Sequence, residues 1–216
     1  MLGAKKIDLG DYKRLDQFRH FQEMTFPYVG CTVNVDVTNL LEKTRREGTD
    51  FFLAILYQVV SAANAVPEFR QRIINGEIWE FNSCNSSHSI DKDDFTYSYC
   101  NLNYNYELDD FLEYAKKEQE KAREKGINED SDVESLFYIS TKSWIFRFSL
   151  LESIETQTRT NPRITLGKYV EDEETGKAVM PVSVLCHHAL VDDIHIKKFY
   201  RELRERLDQI EMEVAA

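Results

Sequence analysis

Apolar and polar residues alternate along CTVNVDV, residues 31–37, as they do in a strand with one face buried. The period then changes. TNLLEKTRREG predicts a short helix with Thr38 or Asn39 as its cap and Gly48 as its stop. DFFLAILYQVVSAANAV starts from Asp50, ends before Pro67 and is apolar nearly all round, which predicts a helix buried on most sides. The Asn75-Gly76 pair is a turn signal, and EIWEFN after it predicts a hairpin. FTYSYCNL at 95–102 alternates again and predicts a strand. LDDFLEYAKKEQEKAREKG predicts a solvated amphipathic helix ending at Gly126, with Leu108, Phe111, Leu112 and Ala115 on its buried side.

The second half is richer in strands. NEDSDVES reads as a polar loop, and LFYISTKSWIFRFSLLE (136–152) has the aromatic and β-branched composition of a strand. RITLGKYVEDEETGKAVMPVSVLC predicts a long hairpin turning around Glu174-Thr175-Gly176. A final helix is predicted from about Asp193, with Ile196, Phe199, Tyr200, Leu203, Leu207 and Ile210 at helical spacing. Helices come early, strands cluster late, and hairpins replace regular βαβ units. That order predicts an α+β fold, or an α/β sandwich with a mixed sheet. No repeat, low-complexity segment or linker interrupts it, so residues 1–216 read as one domain.

Composition narrows the function classes. The formal net charge of −11 argues against nucleic acid, whose binding needs a basic face to displace counterions. No apolar run approaches the roughly 20 residues that span a bilayer, and MLGAKKIDLGDYKR has no signal-peptide core. The expectation is a soluble, cytoplasmic protein. Cys31, Cys84, Cys100 and Cys186 are scattered without a CxxC spacing, which points to ordinary reduced thiols.

Chemistry concentrates in VLCHHALVDDIHIKKFY, residues 184–200, where three of the five histidines follow a strand-like run. Three readings compete. Asp192 or Asp193 caps the last helix, and the histidines are half-buried polar residues at a strand end. Alternatively His188, Asp192 and His195 share a face and bind a metal, although no second cluster supplies further ligands. Third, an imidazole held by a tight turn acts as a general base, with a nearby carboxylate ordering the turn if a cation neutralises it.

HHALVDD resembles the signature His-His-x-x-x-Asp-Gly of the chloramphenicol acetyltransferase family, which dihydrolipoyl acyltransferase domains share in looser form. His188 falls on the family's catalytic base and Asp192 on its structural aspartate, while Asp193 stands in place of the glycine. YKRLDQFRHF resembles the family's opening segment, which puts Arg14 on the arginine that pairs with the motif aspartate. NVDVTNLL and AILYQVVSAANAVPEFRQRI resemble its first strand and long buried helix. YISTKSW resembles the segment carrying the serine that stabilises the tetrahedral intermediate, here Ser140, and ITLGKY the strand carrying a threonine near the reacting centre, here Thr165. The landmarks occur in order over nearly the whole chain.

The resemblance implies a two-layer α/β sandwich with a mixed β-sheet, and a homotrimer with active sites at subunit interfaces. It implies acetyl-CoA as co-substrate, contacted by Trp144, Lys168 and Tyr169, no metal, and an alcohol acceptor contacted by Phe21, Val29 and Tyr97. Chloramphenicol is the acceptor the family name implies, and antibiotic resistance the consequence. Departures fall on the acceptor side. Phe21 stands where chloramphenicol-modifying members carry a tyrosine, Val29 where they carry a phenylalanine, and Ser143 where they carry a proline. Another hydroxylated small molecule is therefore an alternative acceptor, and a trimeric CoA-binding or ligand-binding homologue without catalysis is an alternative of a different class. His187 and His195 are read as structural or supporting residues.

Overall fold

A computed structural model describes residues 3–92, 96–124, 133–146 and 159–214, with side chains through 210. The elements in chain order are β1 (Ala4–Lys6), α1 (Leu15–Gln22), β2 (Tyr28–Asp36), α2 (Thr38–Glu47), α3 (Phe51–Asn64), β3 (Gln71–Ile74) and β4 (Glu77–Phe81). They continue with β5 (Asn85–Asp91), β6 (Tyr97–Leu102), α4 (Leu108–Glu124), β7 (Leu136–Lys142), β8 (Arg163–Gly167), β9 (Val170–Glu171), β10 (Ala178–His187) and α5 (Asp193–Val214). The main sheet has the order β2-β10-β8-β7-β5-β6, with β9 paired to β10, and a small sheet has the order β1-β4-β3. In the main sheet β7 runs parallel to β5 and β8, and the other pairs are antiparallel. The sheet is mixed, as the sequence predicts.

Helices α2 to α5 pack on one another and on one face of this sheet, giving two layers. α3 is the central helix. Asp50 caps it, its carboxylate accepting from Leu53 N at 3.0 Å, and Ile55, Leu56, Val59, Val60, Ala62 and Ala63 are fully buried. Alternate residues of the strands are buried in the same core: Val182, Val184 and Cys186 on β10, Ile164 and Leu166 on β8, Phe137 and Ile139 on β7. These side chains belong to one contiguous apolar cluster. No described helix is long and apolar enough to cross a membrane.

Several local expectations need correction. The first large strand begins at Tyr28, three residues before the alternation is visible, because Tyr28–Gly30 pair with His187–Leu185. Neither Thr38 nor Asn39 caps α2. The position before the helix is Val37, and Asp36 Oδ1 orders the turn by accepting from Thr38 N at 3.0 Å and Thr38 Oγ1 at 2.6 Å. Gly48 does end that helix, at φ 67°. The strand expected over 136–152 stops at Lys142, while residues 147–152, Phe95 and Gly126 lie outside the described residues.

β5, NSSHSID, was not legible as a strand because all of its buried residues but Ile90 are polar. Ser86 is buried and shares a 2.7 Å hydrogen bond with Tyr104 Oη. His88 is 2% exposed, accepts at Nε2 from Gln119 on α4 at 3.1 Å, and meets the Phe52 ring edge-on. Its Nδ1 has no hydrogen-bond partner among the described residues, and burial pushes its pKa down from 6.5 to about 4.

The fold therefore binds this proton less readily than the unfolded chain does. Stability linked to His88 is intact above pH 6.5 and falls as pH drops toward 4. The shift corresponds to about 3 kcal/mol. Urea titrations between pH 8 and pH 4 are expected to show this loss in the wild type and a flatter pH dependence in His88→Leu.

Candidate active site

β10 ends at His187, and the five residues to α5 form a tight turn. The N–H groups of Leu190 and Val191 both donate to His187 O at 3.0 Å, and His188 N donates to Pro27 O at 2.8 Å. The first two bonds close the turn on itself, and the third ties it to the residue before β2. At Gly30 the strands approach so closely that an added Cβ would lie 2.0 Å from Val184 O. An isolated glycine in a strand pattern signals such an approach.

Within the turn, His188 Nδ1 lies 3.0 Å from Val191 O and 3.1 Å from Asp192 Oδ1. Both partners are acceptors, so Nδ1 carries the proton and Nε2 keeps its lone pair. Phe21 of α1 stacks on the imidazole, with ring centroids 3.7 Å apart and planes 19° from parallel. One face of the ring is thereby covered. The side chain remains 26% exposed, enough to be reached by a substrate.

Arg14 lies 178 residues from Asp192 in sequence. Its Nε and Nη2 donate to Asp192 Oδ2 at 2.9 and 2.6 Å, Nη2 also to His188 O at 3.2 Å, and Nη1 to Ala189 O at 3.2 Å. One planar fork therefore neutralises the carboxylate and satisfies two carbonyls of the turn, a combination that lysine cannot reproduce. The carboxylate is divided, with Oδ2 toward Arg14 and Oδ1 toward His188.

The neighbouring residues take other parts. His187 is buried, accepts from Ala189 N at 3.3 Å and meets the Tyr28 ring edge-on. His195 accepts from Asp192 N and lies near Glu68, so the trio His188, Asp192 and His195 of the metal reading does not converge. Among the described residues, no group of three or more His, Cys, Asp or Glu side chains is arranged to hold a metal. Asp193 is the first residue of α5. Asn75 is the one non-glycine at positive φ among the described residues, so Asp193 replaces the motif glycine without backbone strain.

A second group of predicted residues lies elsewhere on the sheet. Ser140 on β7 is directly opposite Thr165 on β8, which is opposite Ser183 on β10. Thr165 is fully buried and Ser140 half-buried. Lys168 and Tyr169 line a cavity of about 500 Å³ with Phe51, Phe52, Leu166 and Met180, and Phe51 meets the Tyr169 ring edge-on. The two phenylalanines were missed in the sequence because an apolar helix start reads as core. Trp144 is 77% exposed near this cavity in sequence. Val29 pairs with Cys186 beside the histidine turn, whereas Tyr97 is exposed on β6, at the opposite edge of the sheet.

The two groups do not meet within one chain. Ser183 marks the Ser140 row on β10, and His188 lies five residues further on. At ~3.3 Å per residue and ~4.8 Å per strand, His188 and Ser140 are roughly 15–20 Å apart.

Comparison with known proteins agrees with this architecture. Residues 2–204 match the family model described as chloramphenicol acetyltransferase. A chloramphenicol acetyltransferase of Proteus mirabilis is 25% identical over 96% of this chain and 96% of its own length. A solved chloramphenicol acetyltransferase superposes with a TM-score of 0.85 at 25% identity, covering 94% of this chain and 99% of that one. A probable dihydrolipoamide acetyltransferase from Listeria monocytogenes shares the fold, with a TM-score of 0.68 at 16% identity over 97% of each chain. The chain belongs to the chloramphenicol acetyltransferase family and is an acyltransferase.

Arg14→Ala would leave the Asp192 carboxylate and two carbonyls without their donor. Breaking a fully buried pair costs ~3–5 kcal/mol. Asp192 is a third exposed, so a loss of about 2 kcal/mol is expected in chemical denaturation. Arg14→Lys, which keeps the charge and loses the fork, is expected to recover less than half of that.

Proposed function

We propose that the protein transfers an acetyl group from acetyl-CoA to a hydroxyl of chloramphenicol, with His188 as general base. The observation that carries this reading is the fixed tautomer. The Nδ1 proton is held by Val191 O and Asp192, so Nε2 is free to take a proton from the acceptor hydroxyl. The deprotonating oxygen attacks the thioester carbonyl, and the imidazolium then returns its proton to the departing thiolate. The Ser140 hydroxyl donates to the oxyanion of the tetrahedral intermediate. Thr165, on the adjacent strand in register, supports that position.

The cavity beside Lys168 and Tyr169 suits the acyl donor. Phe51, Phe52, Leu166 and Met180 offer apolar walls to a pantetheine arm, and exposed Lys168 offers a cation to a phosphate. The base and the oxyanion donor are too far apart in one chain to act on one carbonyl. We therefore place each site between copies in a trimer, His188 coming from one copy and Ser140 from its neighbour. In this reading the enzyme works in the cytoplasm, and its cysteines stay reduced.

A second reading keeps the chemistry and changes the acceptor to another hydroxylated small molecule. Phe21 favours it, since the ring against His188 has no hydroxyl to offer the drug. A catalytically silent homologue fits less well, because nothing in simple ligand binding requires an imidazole held in one tautomer.

Release of free thiol from acetyl-CoA, followed colorimetrically with chloramphenicol present, tests the activity. His188→Ala is expected to lower kcat by ~10²–10⁴-fold, and Ser140→Ala by ~10²–10³-fold. Turnover with a different alcohol and none with chloramphenicol would select the second reading. Retention of most activity by His188→Ala would sink the base assignment.

Sharing of the site is tested by refolding the two inactive variants together. In a random mixture about one quarter of the interface sites would combine an intact His188 with an intact Ser140. Recovery of about that fraction of wild-type activity is expected, and no recovery would mean the sites are not shared.

A further inference from the structure

Helix α5 starts from an arrangement in which a histidine takes the part usually played by glutamate or glutamine. Asp192 precedes the first helical residue, and His195 is the third residue of the helix. His195 N donates to Asp192 O at 2.9 Å, and Asp192 N donates back to His195 Nδ1 at 2.9 Å. This is the back-bond of a capping box, whose third helical residue reaches the N–H of the cap. The cap's own side chain is engaged elsewhere, Oδ1 with His188 and Oδ2 with Arg14. His195 therefore secures the backbone of the residue whose carboxylate orients the base.

The substitution has a chemical consequence. A glutamine oxygen accepts a hydrogen bond at any pH, whereas imidazole nitrogen accepts only when it is unprotonated. The other nitrogen, Nε2, lies 3.6 Å from Glu68 Oε1, on the turn Pro67–Arg70. Neutral His195 with its proton on Nε2 thus faces an acceptor on one side and a donor on the other. A proton added at Nδ1 would point at the Asp192 N–H and break the back-bond. The charged groups facing the ring are Glu68 and Asp192, which favour that proton, and Arg14 and Lys198, which oppose it. Tyr12, close to Glu68 and Asp192, is kept neutral by its own burial. Burial of the ring is the largest influence and holds its pKa below 6.5.

We propose that His195 is a positioning residue: in its neutral form it braces Asp192 and so keeps His188 in the tautomer with a free Nε2. This deepens the proposed function and rests on it for the kinetic readout. Competence of the turn then depends on a second imidazole besides the base, and activity falls on the acid side with two protons rather than one.

The experiment compares wild type, His195→Gln and His195→Leu by nitrogen NMR of labelled imidazoles and by acetyl transfer to chloramphenicol across pH. At pH 7.5, His188 is expected in the Nδ1–H form in wild type and His195→Gln, and in a mixture of tautomers in His195→Leu. His195→Leu is expected to lower kcat about fivefold, the equivalent of one lost cap, with KM for acetyl-CoA unchanged. His195→Gln restores the rate and reduces the acid limb to a single proton. A His188 signal in the Nδ1–H form in all three proteins overturns the proposal, as does a two-proton limb that persists in His195→Gln. If chloramphenicol is not turned over at all, the proposed function fails, and the NMR comparison still decides the role of His195.

Discussion

The candidate active site depends on one ion pair between the two ends of the chain. Arg14 precedes α1, and Asp192 precedes α5. Their contact closes the turn after β10 from outside, because the guanidinium also takes the carbonyls of His188 and Ala189. A turn of five residues between a strand and a helix has few donors of its own for those carbonyls, and buried carbonyls must be satisfied. The rest of the geometry follows. With Oδ2 on Arg14, Oδ1 turns to His188, the Nδ1 proton acquires two acceptors, and Nε2 becomes the basic nitrogen. Phe21 completes the seat from α1, the helix that Arg14 leads into.

Much of this site was readable in the sequence, and for different reasons in different parts. His188 and Asp192 stand four residues apart in one turn, so their proximity is local and spacing alone suggests it. Arg14 is not local. Composition gives a lone arginine near the start no distinction, and only joint registration with the family pattern pointed to it. The contribution of Val191 was invisible because it acts through a backbone oxygen, and His195 was read only as a supporting residue because its bond to the Asp192 N–H cannot be inferred from spacing. The fold shows the same division. α3 and the β9–β10 hairpin region are marked by apolar runs and were legible, whereas β5 buries Ser86, Ser87 and His88 and carried no such signal.

Sheet geometry decides how the two halves of the proposed site can be combined. Ser140, Thr165 and Ser183 form a row across three strands, and the histidine turn lies beyond the end of β10. Strand rise is fixed by the backbone, so no choice of side-chain rotamer closes a gap of roughly 15–20 Å. Domain closure is not available inside one continuous sheet. A second copy is the remaining way to bring a serine to the base, which is why the proposed reaction and the proposed assembly stand or fall together.

The departure at Asp193 is best judged from the backbone. A glycine in a motif has physical force where φ is positive or where backbone passes closely, and Asp193 does not meet the first condition, being the first residue of a regular helix. Gly30 meets the second condition in full, with Val184 O occupying the space its side chain would need. A carboxylate at the N-terminus of α5 also lies where the helix dipole favours negative charge. The backbone at Asp193 does not demand glycine by its φ angle, whereas the less conspicuous glycine in β2 has no room for a side chain. What Asp193 changes is charge: an exposed anion stands beside the turn that bears His188, near Phe21 and Val29, which also differ from the family pattern. Arg14, Asp192 and His188 hold the geometry of the turn, while Phe21, Val29 and Asp193 depart from the family pattern around it and Ser143 departs at the cavity beside Lys168.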